Sequence, residues 1–132
     1  MAARRDEIQG LLEKARRDLK AACSLLDEED ILDIVCFHAQ QAAEKALKAL
    51  LLAHGVAYPY RHDLDELLEL MPEAHDELLA MRDQITALTP FATAERYEDI
   101  ARPAEEDAQA ALAVATAVYE VARTVIGDLS TQ

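Results

Sequence analysis

The chain contains few of the residues that interrupt regular structure. Only three glycines and four prolines occur in 132 residues, and tryptophan is absent. Aromatic residues make up 5% of the chain, whereas hydrophobic residues make up 52%. β-Sandwiches are rich in aromatic and turn-forming residues, and disordered chains are poor in hydrophobic ones. The composition argues against both classes and is typical of a bundle of Ala- and Leu-rich helices.

Basic residues are also scarce. Lys and Arg together number 13 against 26 Asp and Glu, which gives a formal net charge of -13. Nonspecific binding to DNA or RNA depends on positive groups that neutralise phosphates, so it is disfavoured over most of this surface. A local basic patch is still compatible with this charge, because net charge does not describe its distribution.

Cysteines and long apolar runs are few. Cys23 and Cys36 lie in helical, apolar sequence without metal-ligand spacing, which predicts two reduced, buried thiols in a cytosolic protein. The first seven residues lack the apolar segment of a signal peptide. No apolar run approaches the roughly 20 residues that a membrane span needs. We expect a soluble, cytoplasmic protein without membrane contact.

Helical periodicity predicts an all-α, antiparallel bundle of four to five helices in a single domain, residues 1–132, with its core at about 5–126. The first helix is predicted at about 3–26 and the second at about 31–54. Gly55 then provides the left-handed cap at the end of the second helix. A short third helix follows His62, with Asp63 as its N-cap and Glu66 completing a capping box.

The second half of the chain is predicted to hold two more helices. One begins near Pro72 and spans about 73–88, and the other begins at Pro103 and reaches about residue 126. Residues 89–102 are expected to be an irregular connection or a weak helix, and the chain from Gly127 is expected to fray. The last helix is predicted to bury the following residues: Ala108, Ala111, Leu112, Ala115, Val118, Tyr119, Ala122 and Val125.

Polar groups on the second helix fall where a core helix would be apolar. His38, Gln41 and Lys45 share a stripe with Ile31, Ile34, Ala42 and Ala49, whereas Asp33, Glu44 and Lys48 form a separate, narrow polar face. Burying a lysine and a histidine costs free energy unless a partner residue, a second subunit or a ligand satisfies them. Two interpretations remain open. In the first, His38 is a core histidine and Lys45 extends along the apolar surface to the edge of the helix. In the second, His38 and Lys45 contact a phosphate or nucleotide in a groove between helices.

Two loop segments are further candidates. Arg61-His62-Asp63 could bind an anion or form a catalytic pair, although helix capping also accounts for Asp63. Arg96-Tyr97 could contact an anion or a partner, or Arg96 could pair with a neighbouring glutamate on the surface. No metal site is predicted, because the histidines lack HxxxH or HExxH spacing.

The sequence closely resembles the HEPN domain family over about residues 5–126. The resemblance rests on the run FHAQQAAEKALKALL at 37–51, on His62-Asp63-Leu64 at the next helix start, and on Arg96-Tyr97 before the last helix. It implies a bundle like that of nucleotidyltransferase substrate-binding subunits, usually a homodimer formed through the long helices. It also implies a prokaryotic, cytosolic protein that binds a minimal nucleotidyltransferase encoded beside it, as in a toxin–antitoxin-like pair.

The resemblance implies two activities. One is nucleotide binding near the central helix, for which the candidate residues are His38, Gln41, Lys45, His62, Arg96 and Tyr97. The other is metal-independent RNA cleavage by an arginine that is separated from a histidine by four to six residues. This chain departs from that motif, because no histidine follows His75. The chain therefore has no obvious residue that could act as the general acid and base of RNA cleavage.

The expected function is that of a noncatalytic, dimeric HEPN module that binds a nucleotidyltransferase partner and helps to hold a nucleotide. No catalytic residue, metal or cofactor is assigned. The first alternative is an RNA-cleaving toxin with a non-standard site, in which Arg96 stabilises the phosphate and His38 or His62 moves the proton. The second alternative is a purely structural helical dimer.

Overall fold

The computed structural model describes residues 2–60, 62–73, 75–92 and 102–131, which contain six α-helices and no β-strand. The helices are α1 (Ala2–Leu25), α2 (Leu32–Ala53), α3 (Leu64–Glu69), α4 (Asp76–Ala80), α5 (Arg82–Thr86) and α6 (Glu105–Ser130). A 3-10 turn at Glu29–Ile31 precedes α2, and another at Thr89–Ala92 follows α5. The predicted all-α bundle is confirmed.

The three long helices pack side by side. The start of α1 lies beside the end of α2, where the Arg4 side chain approaches Gly55. The carboxyl-terminal turns of α2 and α6 line one cavity with that same end of α1. At the opposite end, Asp107 of α6 lies close enough to Cys36 of α2 to affect its ionisation. Helices α2 and α6 therefore run in the same direction, and α1 runs antiparallel to both.

Helix α2 is the centre of the bundle. It contacts α1, α6, α3 and the 3-10 turn that follows α5. From Val35 onward most of its side chains are buried, and Leu47, Leu50 and Leu51 are completely so. Each buried leucine contributes about 1.5–3 kcal/mol of hydrophobic free energy. Because neighbours surround α2, its polar residues must also find partners inside the protein.

The predicted helix ends around the α2–α3 connection are confirmed. Gly55 follows α2 with a φ of 79°, a conformation that side-chain-bearing residues rarely adopt. Asp63 caps α3, and its carboxylate accepts the backbone N–H groups of Asp65 and Glu66. These local signals agreed with the fold because each acts within a few residues of the chain.

The predicted helix at about 73–88 is wrong in its start and its continuity. The helical structure begins at Asp76 rather than at Pro72, and Met81 divides it into α4 and α5. At Met81 the backbone N–H donates to Leu78 O, three residues back, which is the tighter 3-10 pattern. The sequence contains no glycine or proline at this position that would have marked the break.

Helix α6 also differs from its predicted limits. It begins at Glu105, two residues after Pro103, and the Asp107 carboxylate accepts the Ala104 backbone N–H at 2.8 Å. The predicted fraying from Gly127 is wrong, because the helix continues to Ser130. The Ser130 hydroxyl donates to Gly127 O and satisfies one carbonyl of the last turn.

One face of α6 is less covered than predicted. Five of its eight predicted core residues are buried, namely Ala108, Ala111, Ala115, Val118 and Ala122. The other three, Leu112, Tyr119 and Val125, are half-buried. Within the described residues, α6 is also long and apolar enough to cross a membrane by length and composition alone, contrary to the sequence-based expectation. Core helices of soluble bundles meet the same criterion, so this property alone is weak evidence for a membrane.

The two cysteines have different environments. Cys36 is buried, and this burial, with smaller effects from Asp107 and Asp33, raises the pKa of its thiol to about 11. Cys23 is exposed, so its predicted burial is wrong. Its neighbour Ala22 takes the inward position on α1 and is completely buried.

Candidate functional site

A first polar cluster joins α1 to α2. Lys45 Nζ donates to Asp18 Oδ2 at 2.6 Å, and His38 Nδ1 donates to Asp18 Oδ1 at 2.9 Å. The Asp18 side chain is only 12% exposed, so both contacts are partly shielded from water. One carboxylate thus satisfies the two residues that the sequence singled out. Asp18 itself was missed, because it belongs to another helix and only packing brings it to α2.

A second cluster is centred on Glu44 of α2, which is 4% exposed. Its Oε1 accepts hydrogen bonds from Gln40 Nε2 at 3.0 Å and from His62 Nδ1 at 2.7 Å. Its Oε2 accepts Lys48 Nζ at 3.0 Å. Burial raises the pKa of Glu44, but the three hydrogen bonds together outweigh it and lower the pKa below the ordinary value. Glu44 is therefore an ionised carboxylate held inside the protein.

Two of the three residues on the predicted narrow polar face, Glu44 and Lys48, are buried, and Asp33 is half-buried. Lys48 is only 9% exposed, and its ammonium group lies over the Tyr58 ring, 5.1 Å from the centroid. The helical wheel separated the polar residues correctly but did not show which neighbours cover them. The loop after α2 and the start of α3 cover this face, which makes it the more buried of the two. Ile34, placed on the apolar stripe, is exposed instead.

The sequence-predicted candidates fall into two groups. His38 and Lys45 meet at Asp18. Gln41 instead donates to Gln40 Oε1 at 2.7 Å, and Gln40 in turn donates to Glu44, so Gln41 is linked to His62 through two buried side chains. Arg96, Tyr97 and Arg61 lie outside the described residues. Gln40, Glu44, Lys48 and Tyr58 were missed as site residues; the i, i+4 spacing of Gln40, Glu44 and Lys48 was the available signal.

The geometry at His62 determines what the second cluster can do chemically. An ionised carboxylate only accepts hydrogen bonds, so the ring nitrogen that faces Glu44 carries the proton. The other ring nitrogen, Nε2, is then left to donate or accept a proton, and the His62 side chain is 54% exposed. Within the described residues, no buried side-chain nitrogen or oxygen lacks a hydrogen-bond partner. The buried part of the network is therefore satisfied without a ligand.

Two further histidines meet at the far end of α2. His54 Nε2 and His75 Nε2 are 3.0 Å apart, and the ring centroids are 5.2 Å apart. The difference between these two distances is close to the sum of the centroid-to-nitrogen distances of the two rings. Both nitrogens therefore lie nearly on the line that joins the ring centroids, and they point at each other. This is the geometry of a direct N–H···N hydrogen bond. The described part of the chain contains no group of three or more His, Cys, Asp or Glu residues that could hold a metal ion.

The family model of the HEPN domain matches residues 8–125 of this chain. The chain belongs to the HEPN domain family. This HEPN chain is similar in structure to the TT1696 protein from Thermus thermophilus, with 31% sequence identity and a TM-score of 0.76. The match covers 89% of this chain and 96% of that one.

A second solved structure, ST0689, described as an archaeal HEPN homologue, is similar with 25% identity and a TM-score of 0.70. The match covers 90% of this HEPN chain and 97% of the archaeal one. A comparison with curated proteins found no significant match. The sequence-based resemblance to the HEPN family is thus confirmed, and the paired clusters on α2 lie inside the matched region.

Proposed function

We propose that this chain is a noncatalytic, dimeric HEPN module that binds a minimal nucleotidyltransferase subunit in a two-gene, toxin–antitoxin-like system. One observation carries the proposal. The run at residues 37–51 and His62-Asp63-Leu64 together form the HEPN signature of this chain. Both of its lysines are neutralised within the chain, Lys45 by Asp18 and Lys48 by Glu44. The signature residues therefore hold the module together, and they leave binding to the surface that the module presents to another protein.

The charge of the chain supports a protein partner with a basic face. The net charge of -13 produces a negative potential that attracts a positively charged protein surface and repels nucleic acid. Complementary charges of this kind speed association and set orientation more than they add affinity. We therefore expect the complex to form more slowly and to weaken as the salt concentration rises.

A face of α6 that α4 and α5 cover only in part supports a dimer. Val114, Ala117, Val121 and Val125 are only half-buried along this helix. Apolar side chains that one chain covers only in part can pack against a second chain. Alanine on the same face would allow a second helix to approach closely. A dimer through α6 would cover these side chains.

We propose nucleotide binding only for the complex, in which this chain and its partner would hold the nucleotide together. A phosphate near Lys45 would have to displace Asp18, whose oxygen already lies 2.6 Å from the lysine nitrogen. A phosphate near Lys48 would meet the buried Glu44 carboxylate. Each carboxylate would repel the anion, so binding by this chain alone is disfavoured.

The test is co-expression of the tagged chain with the nucleotidyltransferase encoded beside it, followed by native mass spectrometry. We expect a complex of fixed stoichiometry that dissociates as salt is raised. The same chain mixed with ATP alone at millimolar concentration should show no tight adduct. A homodimer that binds neither the nucleotidyltransferase nor any nucleotide would contradict the proposal and leave the purely structural dimer.

A second candidate function is metal-independent RNA cleavage, and one observation favours it. Glu44 orients His62 and leaves its Nε2 able to transfer a proton, as a general base requires. Expression should then arrest growth, and Arg96→Ala or His62→Gln should relieve the arrest. Normal growth with intact cellular RNA would exclude this function.

A further inference from the structure

A cavity opens at the end of the bundle where α1 begins and where α2 and α6 end. Its volume of about 480 Å³ lies in the range of small-molecule binding sites. All three long helices contribute to its apolar wall, which consists of Ile8, Ala53, Ile126 and Leu129. Ile8 and Ile126 are buried, whereas Ala53 and Leu129 are half-buried. The cavity therefore offers an apolar surface that a small molecule can reach from the end of the bundle.

The charged side chains that line this cavity are both positive. Arg4 and Arg5 stand on the first turn of α1, and Gln9 adds a carboxamide one turn later. Among the described residues that line the cavity, none is acidic, although the chain has 26 Asp and Glu against 13 Lys and Arg. The charge at this end of the bundle is thus opposite to that of the whole chain.

Three other cavities of the described chain have a different charge. The cavity between α5 and α6 includes Asp107. The one between α4 and α6 includes Glu77 and Glu120. The one beside α3 and α4 includes Glu69 and Glu73. Each of these carboxylates would repel an anion, so the cavity at the end of the bundle is the one of these four that suits an anionic ligand.

Neither arginine has a partner that would account for its position. Within the described part of the chain, Arg4 and Arg5 are exposed and make no hydrogen bond or ion pair. Arg4 Nη1 lies 3.9 Å from the place that a Cβ at Gly55 would occupy, beside the end of α2. It is not needed there as a cap, because the carbonyls of residues 50–52 already accept the backbone N–H groups of residues 54–56. Two permanent positive charges therefore stand unpaired at the mouth of an apolar cavity.

We propose that this cavity binds a small amphipathic anion, a molecule with an aliphatic chain and a carboxylate or phosphate head group. The chain lies against Ile8, Ile126 and Leu129, and the head group accepts hydrogen bonds from Arg4 and Arg5. The guanidinium group suits both head groups, because its fork of donors matches their oxygen atoms. The inference is independent of the proposed function, since the cavity shares no residue with either polar cluster on α2.

The test is isothermal titration calorimetry of the pure chain with octanoate, with octanol and acetate as matched probes. Octanol keeps the aliphatic chain without the charge, and acetate keeps the carboxylate without the chain. We expect one octanoate to bind per chain, with an affinity about tenfold or more above that of either probe. From butanoate to octanoate, the affinity should rise about three- to fourfold for each added CH₂ that becomes buried. Octyl phosphate identifies the head group, because the tighter binder of the two anions carries the preferred one.

A double variant, Arg4→Gln with Arg5→Gln, tests the two charges directly. It should weaken octanoate binding by about tenfold or more and leave octanol binding unchanged, so that the two probes bind alike. Thermal unfolding without ligand should not change, because neither arginine makes a hydrogen bond or ion pair within the described residues. Arg17→Gln is the matched control, since Arg17 is an exposed arginine of α1 that does not line the cavity.

Three outcomes would overturn the inference. The first is the absence of saturable binding by both octanoate and octyl phosphate. The second is equal binding of octanoate and octanol to the wild-type chain, which would mean that the arginines select nothing. The third is an equal loss of affinity in Arg17→Gln, which would reveal only a general effect of charge. None of these measurements involves the nucleotidyltransferase, so each outcome leaves the proposed function unaffected.

Discussion

His62 donates its Nδ1 hydrogen to Oε1 of Glu44 across 2.7 Å, although 18 residues separate the two along the chain. This bond connects the central helix to the loop that follows it. It brings one half-exposed and one buried side chain of the HEPN signature together. The same carboxylate also binds Lys48, so a single buried charge organises both a helix and a loop.

Glu44→Gln should destabilise the protein strongly. The substitution removes the negative charge and leaves Lys48 buried without a counter-charge, which typically costs about 3–5 kcal/mol. Urea unfolding followed by circular dichroism would measure the change. Glu13→Gln is the matched control, because Glu13 pairs with Arg16 on the surface and exposed pairs contribute little to stability.

The double variant Glu44→Leu with Lys48→Met tests the reason for that loss. With both charges removed, apolar packing should recover most of the stability lost in Glu44→Gln. The loop should nevertheless be less ordered, because Tyr58 and His62 lose their partners. Hydrogen exchange across residues 56–63 would show this loosening. A double variant as unstable as Glu44→Gln would contradict the charge argument.

Lys45→Met should lower stability by about 1–2 kcal/mol, because Asp18 loses its lysine partner in a partly shielded position. The bond from His38 remains and limits the loss. Arg123→Met, which breaks an exposed pair with Glu120, should cost less. The affinity of the isolated chain for ATP, measured by calorimetry, should not change. A clear fall in that affinity would instead assign Lys45 to a phosphate site.

Stability should fall in mild acid because folding holds His75 beside His54 in a partly buried position. Burial, followed by the proximity of His54, lowers the pKa of His75, and Glu73 opposes this only weakly. Folding therefore favours neutral His75, and the stabilisation is complete above the pKa of the unfolded chain. It is lost as the pH falls through that value toward the lower folded pKa. Unfolding experiments at about pH 7.5 and pH 5 would measure the loss, and His75→Gln should reduce it.

Two glycines should respond in opposite ways to alanine. Gly10 lies inside α1, and an added Cβ would meet nothing within 4 Å. Gly10→Ala should therefore raise the free energy of unfolding by about 0.5–1 kcal/mol through helix propensity. Gly55 has a φ of 79°, so Gly55→Ala should lower it by about 1 kcal/mol. Thermal unfolding of both variants under the same conditions would check the contrast.

The sequence alone determined the features that depend on neighbours in the chain. The Ala- and Leu-rich periodicity predicted α1, α2 and α6, because helix hydrogen bonds and propensities act within one turn. The caps at Gly55 and Asp63 were also local, so they could be predicted. The HEPN resemblance likewise rests on short contiguous segments, namely residues 37–51, His62-Asp63-Leu64 and Arg96-Tyr97. The division at Met81 was not predictable, since no residue there breaks a helix by its own preference.

The tertiary structure decided which polar residues are buried and what satisfies them. A helical wheel places Glu44 and Lys48 on one face, but only the position of the following loop makes that face the interior. Asp18 came to His38 and Lys45 through the packing of α1 against α2. Burial and pairing depend on long-range contacts, and these are set by the arrangement of whole helices. That arrangement converted candidate ligand-binding residues into internally paired ones.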